Sequence, residues 1–212
     1  MTTIGFIGSG HIGSSVAKAA IRQGYDVVMS NSRGPETLSD LVAQLGPNAS
    51  AATRADAASR GDFVVVSVPL RAALDTPVAE LAGKVVLDTN NYYFERDGHI
   101  AEIDNHELTV TGLLQRHLVD SKVAKAFNHI QFDQILSHAA PNGTPGRRAL
   151  ATASDSPEAI DLVTNFFDRV GFDTVVIGPL SESWRIDRDT PGYGGQLDRV
   201  QLSAKIAEAT RN

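Results

Sequence analysis

The residues best placed to do chemistry are three glycines, Gly8, Gly10 and Gly13, set behind the apolar run Ile4-Gly5-Phe6-Ile7. In the run Gly8-Ser9-Gly10-His11-Ile12-Gly13, the first glycine permits a tight turn out of a strand and the second lets backbone approach a pyrophosphate. The third lets a helix pack closely on a sheet. The helix N-terminus then faces the phosphates with unpaired N–H groups and the positive end of its dipole. Residues 14–21 continue as that helix, Gly24 stops it, and residues 25–30 return as a second strand, so the motif lies inside a complete βαβ unit. The chemistry this predicts is dinucleotide binding, with Gly8, Ser9, Gly10, His11, Ile12 and Gly13 against the cofactor.

The end of the second strand selects the dinucleotide. A site for unphosphorylated NAD usually has Asp or Glu there, about twenty residues past the glycines, to bind the ribose 2′-hydroxyl. Here the positions are Asn31, Ser32 and Arg33. A hydroxyl and a guanidinium form charge-assisted hydrogen bonds to a 2′-phosphate that a carboxylate would repel, so NADP is favoured over NAD. The same residues also read as a solvated turn, since Gly34-Pro35 is turn chemistry.

A second group follows later strands. Asp88-Thr89-Asn90-Asn91-Tyr92-Tyr93 and the pair Asn128-His129 each come after a run expected to be a parallel strand. Ligands in open α/β sheets bind outside the carboxyl ends of the strands, so Asn90, Asn128 and His129 are the candidates for positioning a second reactant beside the nicotinamide. The first segment is equally a turn that satisfies its own backbone, and His129 reads more readily as a residue orienting Asn128 or capping a helix than as an acid. Hydride transfer needs two rings in contact and water excluded, which agrees with the lack of a nucleophile or a metal-ligand spacing. A carbonyl or imine substrate would instead need a proton donor, for which His129, Tyr92, Tyr93 and Tyr193 are available. His11 reads as a neutral packing or hydrogen-bonding residue, and His99 and His106 as surface histidines.

The elements that must position these residues alternate along the chain. An amphipathic helix is expected over residues 36–45, a short third strand over 51–53 and a brief helix over 55–59. Residues 63–68 read as a buried strand ended by Pro69, residues 70–81 as a crossover helix interrupted by Pro77, and residues 84–88 as the next strand. A helix over 111–118, a strand over 121–127, a long loop over 137–148 that could be a lid or a connection, and a strand over 150–153 follow. Ser156-Pro157 opens a helix that Gly171 closes, residues 174–177 complete the sheet, and the tail carries Trp184, a turn over 191–195 and a helix from Leu197. The fold class is α/β, a Rossmann-type doubly wound, mostly parallel sheet, with an NADP-binding domain over 1–180 and a small C-terminal extension over 181–212.

Composition narrows the partners. The 212 residues carry a formal net charge of −6 with no basic run, which gives no footprint for nucleic acid or an acidic membrane surface. Cysteine is absent, which excludes disulfides and thiolate chemistry and is compatible with a cytoplasmic location. No signal peptide is visible at the start, and no apolar run approaches the ~20 residues that span a bilayer. The expected partners are small molecules, and a homodimer is compatible with the chain.

Taken together, Ile7-Gly8-Ser9-Gly10-His11-Ile12-Gly13, Ser32-Arg33, Val66-Ser67-Val68-Pro69, Gly171-Phe172-Asp173 and Gly178-Pro179-Leu180 resemble the small NADPH-dependent oxidoreductases related to the enzyme that exchanges hydride between NADP and a deazaflavin coenzyme. Lys125-Ala126-Phe127-Asn128 is also similar to a run in the cytosolic domain of transmembrane ferric reductases, which pass electrons from NADPH through a flavin. The resemblance implies a cofactor face over Gly8 to Ile12, a 2′-phosphate clamp at Ser32 and Arg33, adenosine or nicotinamide contacts from Ser67, Val68 and Pro69, and a deazaflavin or flavin as second substrate. Two departures stand out. Pro35, Glu36 and Thr37 lack the basic residue often found beyond the Ser-Arg pair, and Asp88-Thr89-Asn90-Asn91 replaces a more apolar, proline-containing stretch. A reductase of a small carbonyl, imine or quinone, and a non-catalytic NADP-sensing protein, are the competing expectations.

Overall fold

The computed structural model describes residues 1–211. The chain opens with β1 (Thr3–Ile7), α1 (His11–Arg22) and β2 (Asp26–Ser30), the βαβ unit expected from the glycine spacing. A 3-10 turn at Pro35–Leu38 leads into α2 (Ser39–Leu45), then β3 (Ala49–Ala51), α3 (Arg54–Arg60) and β4 (Phe63–Val66). Two short helices, α4 (Leu70–Ala73) and α5 (Val78–Leu81), lead to β5 (Val85–Asp88). Next come α6 (Phe94–Asp97), α7 (Ala101–Asp104), α8 (Val110–His117) and β6 (Lys122–Lys125). The chain then forms α9 (Gln134–Ser137), β7 (Ala149–Ser154), α10 (Pro157–Val170) and β8 (Asp173–Gly178), and ends with a 3-10 segment, Leu180–Ile186, and α11 (Arg199–Glu208).

The strands form one sheet in the order β3-β2-β1-β4-β5-β6-β7-β8. Strands β1 to β6 pair in parallel, so their carboxyl ends share one edge. Strand β7 is antiparallel to β6, and β8 runs parallel to β7, which makes the sheet mostly parallel, as expected. Strands β4 and β5 are buried along their whole length, the pattern of a sheet covered on both faces. Alternation divides them between two cores. Phe63 and Val65 face a cluster with Val16, Tyr25, Phe127 and Phe166, while Val64 and Val66 face Leu81, Leu114 and Val123.

Several boundaries differ from the sequence expectation. Strand β3 covers 49–51 because Thr53 is taken as the N-cap of α3, where its hydroxyl accepts the Asp56 N–H. The region 70–81 is two separate helices, since Pro77 cannot continue the first. Strand β6 stops at Lys125 because Phe127 takes a left-handed φ of 56°, which turns the chain away from the sheet. The polar stretch after residue 93 contains α6 and α7, too short for a periodic signal. The loop 137–148 is a connection. Arg147 fastens it to the end of α10 through Asp168 at 2.7 Å, and the Ala140 N–H donates to the Gly171 carbonyl at 3.0 Å.

Reversal of β7 and β8 sends the chain to the opposite edge at Gly178. The 3-10 segment brings it back to the carboxyl ends of β5 and β6, packing Ile186 with Leu202 and Ile206 of α11 against Ala149 and Ala151. Trp184 rides on this returning segment, with the guanidinium carbons of Arg185 and Arg211 at 4.5 and 5.1 Å from its ring.

Candidate active site

The three glycines have three different surroundings. A Cβ built on Gly8, whose φ is +113°, would lie 2.0 Å from the Ser67 carbonyl oxygen, and one on Gly13 would lie 2.5 Å from the Gly8 carbonyl oxygen. The fold itself therefore requires glycine at both. A Cβ on Gly10 would meet nothing within 4 Å. The protein keeps space there that its own packing does not use. Gly10 is also the N-cap of α1, with no side chain capping the helix and no acid in the first turn, so its N–H groups and positive dipole end are left for an anion.

A cleft of about 260 Å³ runs from this helix end across the sheet edge, lined by Gly10, His11 and Ile12, then Ser67, Val68 and Pro69, then Thr89, Asn90, Asn91, Tyr93 and Arg96. It follows the carboxyl ends of β1, β4 and β5 in sheet order, the path of a dinucleotide from pyrophosphate to nicotinamide. The His11 ring stacks on Phe132 with centroids 4.5 Å apart and planes 25° apart, a packing role as read from the sequence. Ser9 supports the turn by accepting the Ser14 hydroxyl at its carbonyl, 3.0 Å.

At the end of β2, the Asn31 side chain builds the turn. Its Oδ1 accepts the N–H groups of Arg33 and Gly34 at 2.9 and 3.0 Å, and its Nδ2 donates to Thr37 at 2.9 Å. Ser32 and Arg33 are exposed, and the Arg33 guanidinium has no protein partner among the described residues. The segment is a formed turn that presents a guanidinium without a partner among the described residues. The Glu36 carboxylate folds back over Gly34, close enough that a Cβ there would lie 2.3 Å from it. A negative charge therefore stands beside the turn that presents Arg33.

The side of the cleft beyond the carboxyl end of β5 is more elaborate. Asp88 is fully buried, and its Oδ1 accepts the Asn90 N–H at 3.0 Å, so the expected Asx turn is present within the cleft wall. Burial pushes the Asp88 carboxyl up, against the pull of the Lys125 ammonium. Lys125, paired with Asp88 in the strand register and fully buried, stands 2.7 Å from Asp187 on the returning segment. Asn90 is 4% exposed, and its Nδ2 is buried without a partner among the described residues. Asn90 lines the cleft, and a buried amide donor without a protein partner is the kind of group that a ligand acceptor satisfies.

Asn128 and His129 lie behind this wall, not in it. Asn128 donates to the Ile186 carbonyl at 2.8 Å and to Asn91 Oδ1 at 3.2 Å, while Asn91 donates to the Asn128 carbonyl at 2.7 Å. His129 is 1% exposed, and its Nε2 accepts the Ala151 N–H at 2.9 Å. Burial first, then the charges of Arg148 and Lys125, push its pKa down to about 3. Its Nε2 is engaged by the backbone and burial disfavours the charged ring, which favours the structural reading of His129 over that of an acid. Of the tyrosines, Tyr92 is held by Asp104 at 2.7 Å, whereas Tyr93 lines the cleft and shares a hydrogen bond with Tyr193.

The sequence reading missed Arg96 and the Lys125–Asp187 pair. A lysine inside the apolar run Val123-Ala124-Lys125-Ala126-Phe127 was the available signal for the pair. Arg96 lay in a stretch with charges on every side and gave none.

Comparison with known proteins agrees with the cofactor side. Residues 3–92 match the family described as NADP oxidoreductase, coenzyme F420-dependent. Escherichia coli YjhV is 42% identical over 53 residues, a match that spans 25% of this chain and 39% of that protein. The crystal structure of Sinorhizobium meliloti SMa0349 superposes with a TM-score of 0.80 at 27% identity, covering 94% of this chain and 96% of that one. A structure from Arthrobacter, assigned as an F420-dependent NADP-reductase, superposes with a TM-score of 0.71 at 18% identity over 86% of this chain and 87% of its own, a likeness of fold. The matched residues 3–92 are those that carry β1 to β5 and the glycine turn.

Proposed function

We propose that this chain transfers hydride between NADP(H) and a deazaflavin- or flavin-type acceptor. The observation that carries the reading is the continuous cleft from the uncapped end of α1, beside Gly10, to the unpartnered amide of Asn90. The residues fit NADP. Gly10 leaves room for a pyrophosphate, Ser32 and Arg33 offer a hydroxyl and an unengaged guanidinium to a 2′-phosphate, and Ile12, Val68 and Pro69 give an apolar floor that excludes water. When bound, the nicotinamide supplies the hydride, and the protein's part is orientation.

Asn90, held by the Asx turn on Asp88, would present its amide to a carbonyl of the nicotinamide or of the acceptor. Asn128 would act one step behind, fixing Asn91 and the returning segment that closes this side of the cleft. A flat acceptor needs no dedicated proton donor in this arrangement, which agrees with the neutral His129. The family description of residues 3–92 supports the same acceptor class. The deciding experiment follows NADPH oxidation by absorbance with a deazaflavin, a flavin and a panel of imines and carbonyls. Turnover with the deazaflavin or flavin is expected, faster with NADPH than with NADH. Turnover confined to imines or carbonyls would overturn the acceptor, and tight NADP binding with no oxidation by any acceptor would favour a sensor.

A further inference from the structure

We infer that the second reactant of this cleft carries an anionic group and that Arg96 binds it, a statement that rests on the reading above and names the substrate class more narrowly. The chain has a formal net charge of −6, yet no residue lining the cleft is acidic, and Arg96 is its one permanently charged lining residue. That exclusion of carboxylates is local, and it lies where the acceptor would enter.

The guanidinium is fixed in place. Nε and Nη2 donate to the two Asp97 oxygens at 2.9 and 2.8 Å, Nη2 also donates to the Asn91 carbonyl at 3.0 Å, and the group lies 4.9 Å from the Tyr93 ring centre. Asp97 is itself anchored, accepting the Tyr93 N–H at 3.1 Å with its side chain 2% exposed. Nη1 makes no hydrogen bond to the protein among the described residues, and the Arg96 side chain keeps 44% of its exposure. A planar fork braced on three sides, with one nitrogen free of protein partners on a side chain that lines the cleft, loses little freedom on taking a carboxylate, sulfonate or phosphate oxygen. Because Asp97 balances its charge, the attraction is short-ranged and directional, and it depends weakly on salt.

The cofactor's own phosphates are not the natural partner. Neighbouring strands lie about 4.8 Å apart, so the end of β5 is about 10 Å along the edge from the end of β1, where the pyrophosphate is expected. Arg96 belongs to the β5 end of the cleft, since its guanidinium donates to the Asn91 carbonyl in the loop after β5 and lies over the Tyr93 ring.

Binding of two inert probes to the NADP⁺-saturated protein tests this without turnover: 1-naphthalenesulfonate and the neutral 1-naphthalenemethanol, titrated calorimetrically. The wild type should prefer the sulfonate. Arg96→Gln should weaken the sulfonate about tenfold to a hundredfold and leave the alcohol and NADP⁺ unchanged, and Arg96→Lys should recover part of the loss. Unchanged NADP⁺ affinity also certifies that the variants are folded. No preference for the sulfonate in the wild type, or equal sulfonate binding by wild type and Arg96→Gln, would overturn the inference whatever acceptor proves to be reduced. A parallel loss of NADP⁺ would overturn it too, by moving Arg96 to the cofactor.

Discussion

The hydroxyls of Tyr93 and Tyr193 lie 2.9 Å apart, joining residues 100 positions apart in the chain. Tyr193 also receives a hydrogen bond from Asn91 Nδ2 at 3.3 Å, so one phenol links the loop after β5 to the returning tail. Tyr193→Phe deletes both links. With about 0.5–1.5 kcal/mol for each neutral hydrogen bond, the variant should lose about 1–3 kcal/mol in denaturant titration. Turnover should fall while NADPH affinity stays. Burial first, then the bond to Tyr93, hold the Tyr193 phenol above its ordinary value. A raised phenol gives stability that is present below about pH 10 and is lost as pH rises through its folded value, so the alkaline loss of stability should be shallower in Tyr193→Phe.

Arg33 faces solvent unengaged while Glu36 leans over Gly34 beside it. Arg33→Ala should weaken NADPH tenfold to a hundredfold, equivalent to about 1.5–3 kcal/mol, and spare NADH. Glu36→Gln should act oppositely, tightening NADPH by a few-fold through removal of a nearby like charge. Equal changes for NADPH and NADH in a fluorescence titration would remove the clamp from these residues.

Gly10 and Gly13 should fail in different ways. Gly10→Val enters open space, so the protein should unfold at nearly the wild-type temperature and bind no NADPH. Gly13→Val drives its Cβ into the Gly8 carbonyl at 2.5 Å, and should cost several kcal/mol of stability. Thermal denaturation with a parallel NADPH titration separates the two, and normal binding by folded Gly10→Val would displace the pyrophosphate from the helix end.

Asn90 has an amide that nothing in the protein satisfies. Asn90→Ala should therefore change stability by less than about 1 kcal/mol while slowing turnover at least tenfold. Asn128→Ala breaks the bonds to Ile186 and Asn91, so it should lose both stability and rate. If Asn90→Ala keeps the full rate with every acceptor, its amide touches no reactant.

His129, held down to about pKa 3 from 6.5, adds stability that is fully present above pH 6.5 and is lost as pH falls toward 3. His129→Gln keeps an acceptor for the Ala151 N–H, so it should flatten this acid loss in urea titrations between pH 7 and 4. The pH–rate profile from 5 to 8 should show no limb that disappears in His129→Gln.

The cofactor side was legible because its signals are local. Glycine spacing, an apolar strand and a missing acid at residue 31 each act within a few residues, and the structure forms β1, α1 and β2 where they indicated. The surroundings of Asn128, His129 and Lys125 were not, because they are assembled by a path no local pattern announces. Nothing in 149–178 says that β7 turns antiparallel to β6, yet that reversal is what obliges Ile186 and Asp187 to return to Asn128 and Lys125. Phe127 likewise adopts a left-handed φ without being glycine or asparagine; its burial among Phe166 and Phe167, with ring centres 5.9 and 4.8 Å away, holds it there. Asn128 and His129 owe their place behind the wall to that one residue.

Trp184 gives the returning segment an optical voice. It is the only tryptophan in the chain, two positions before the carbonyl that grips Asn128, with two guanidinium groups stacked on its indole. Tryptophan emission from this protein, excited beyond the absorption of the tyrosines, therefore comes from a single address on the strap that packs against Asn128. Any loosening of that strap changes the cations and water around one fluorophore, so docking of the tail can be followed in time by light alone, with no label and with the absorbance of the nicotinamide left free to report the chemistry.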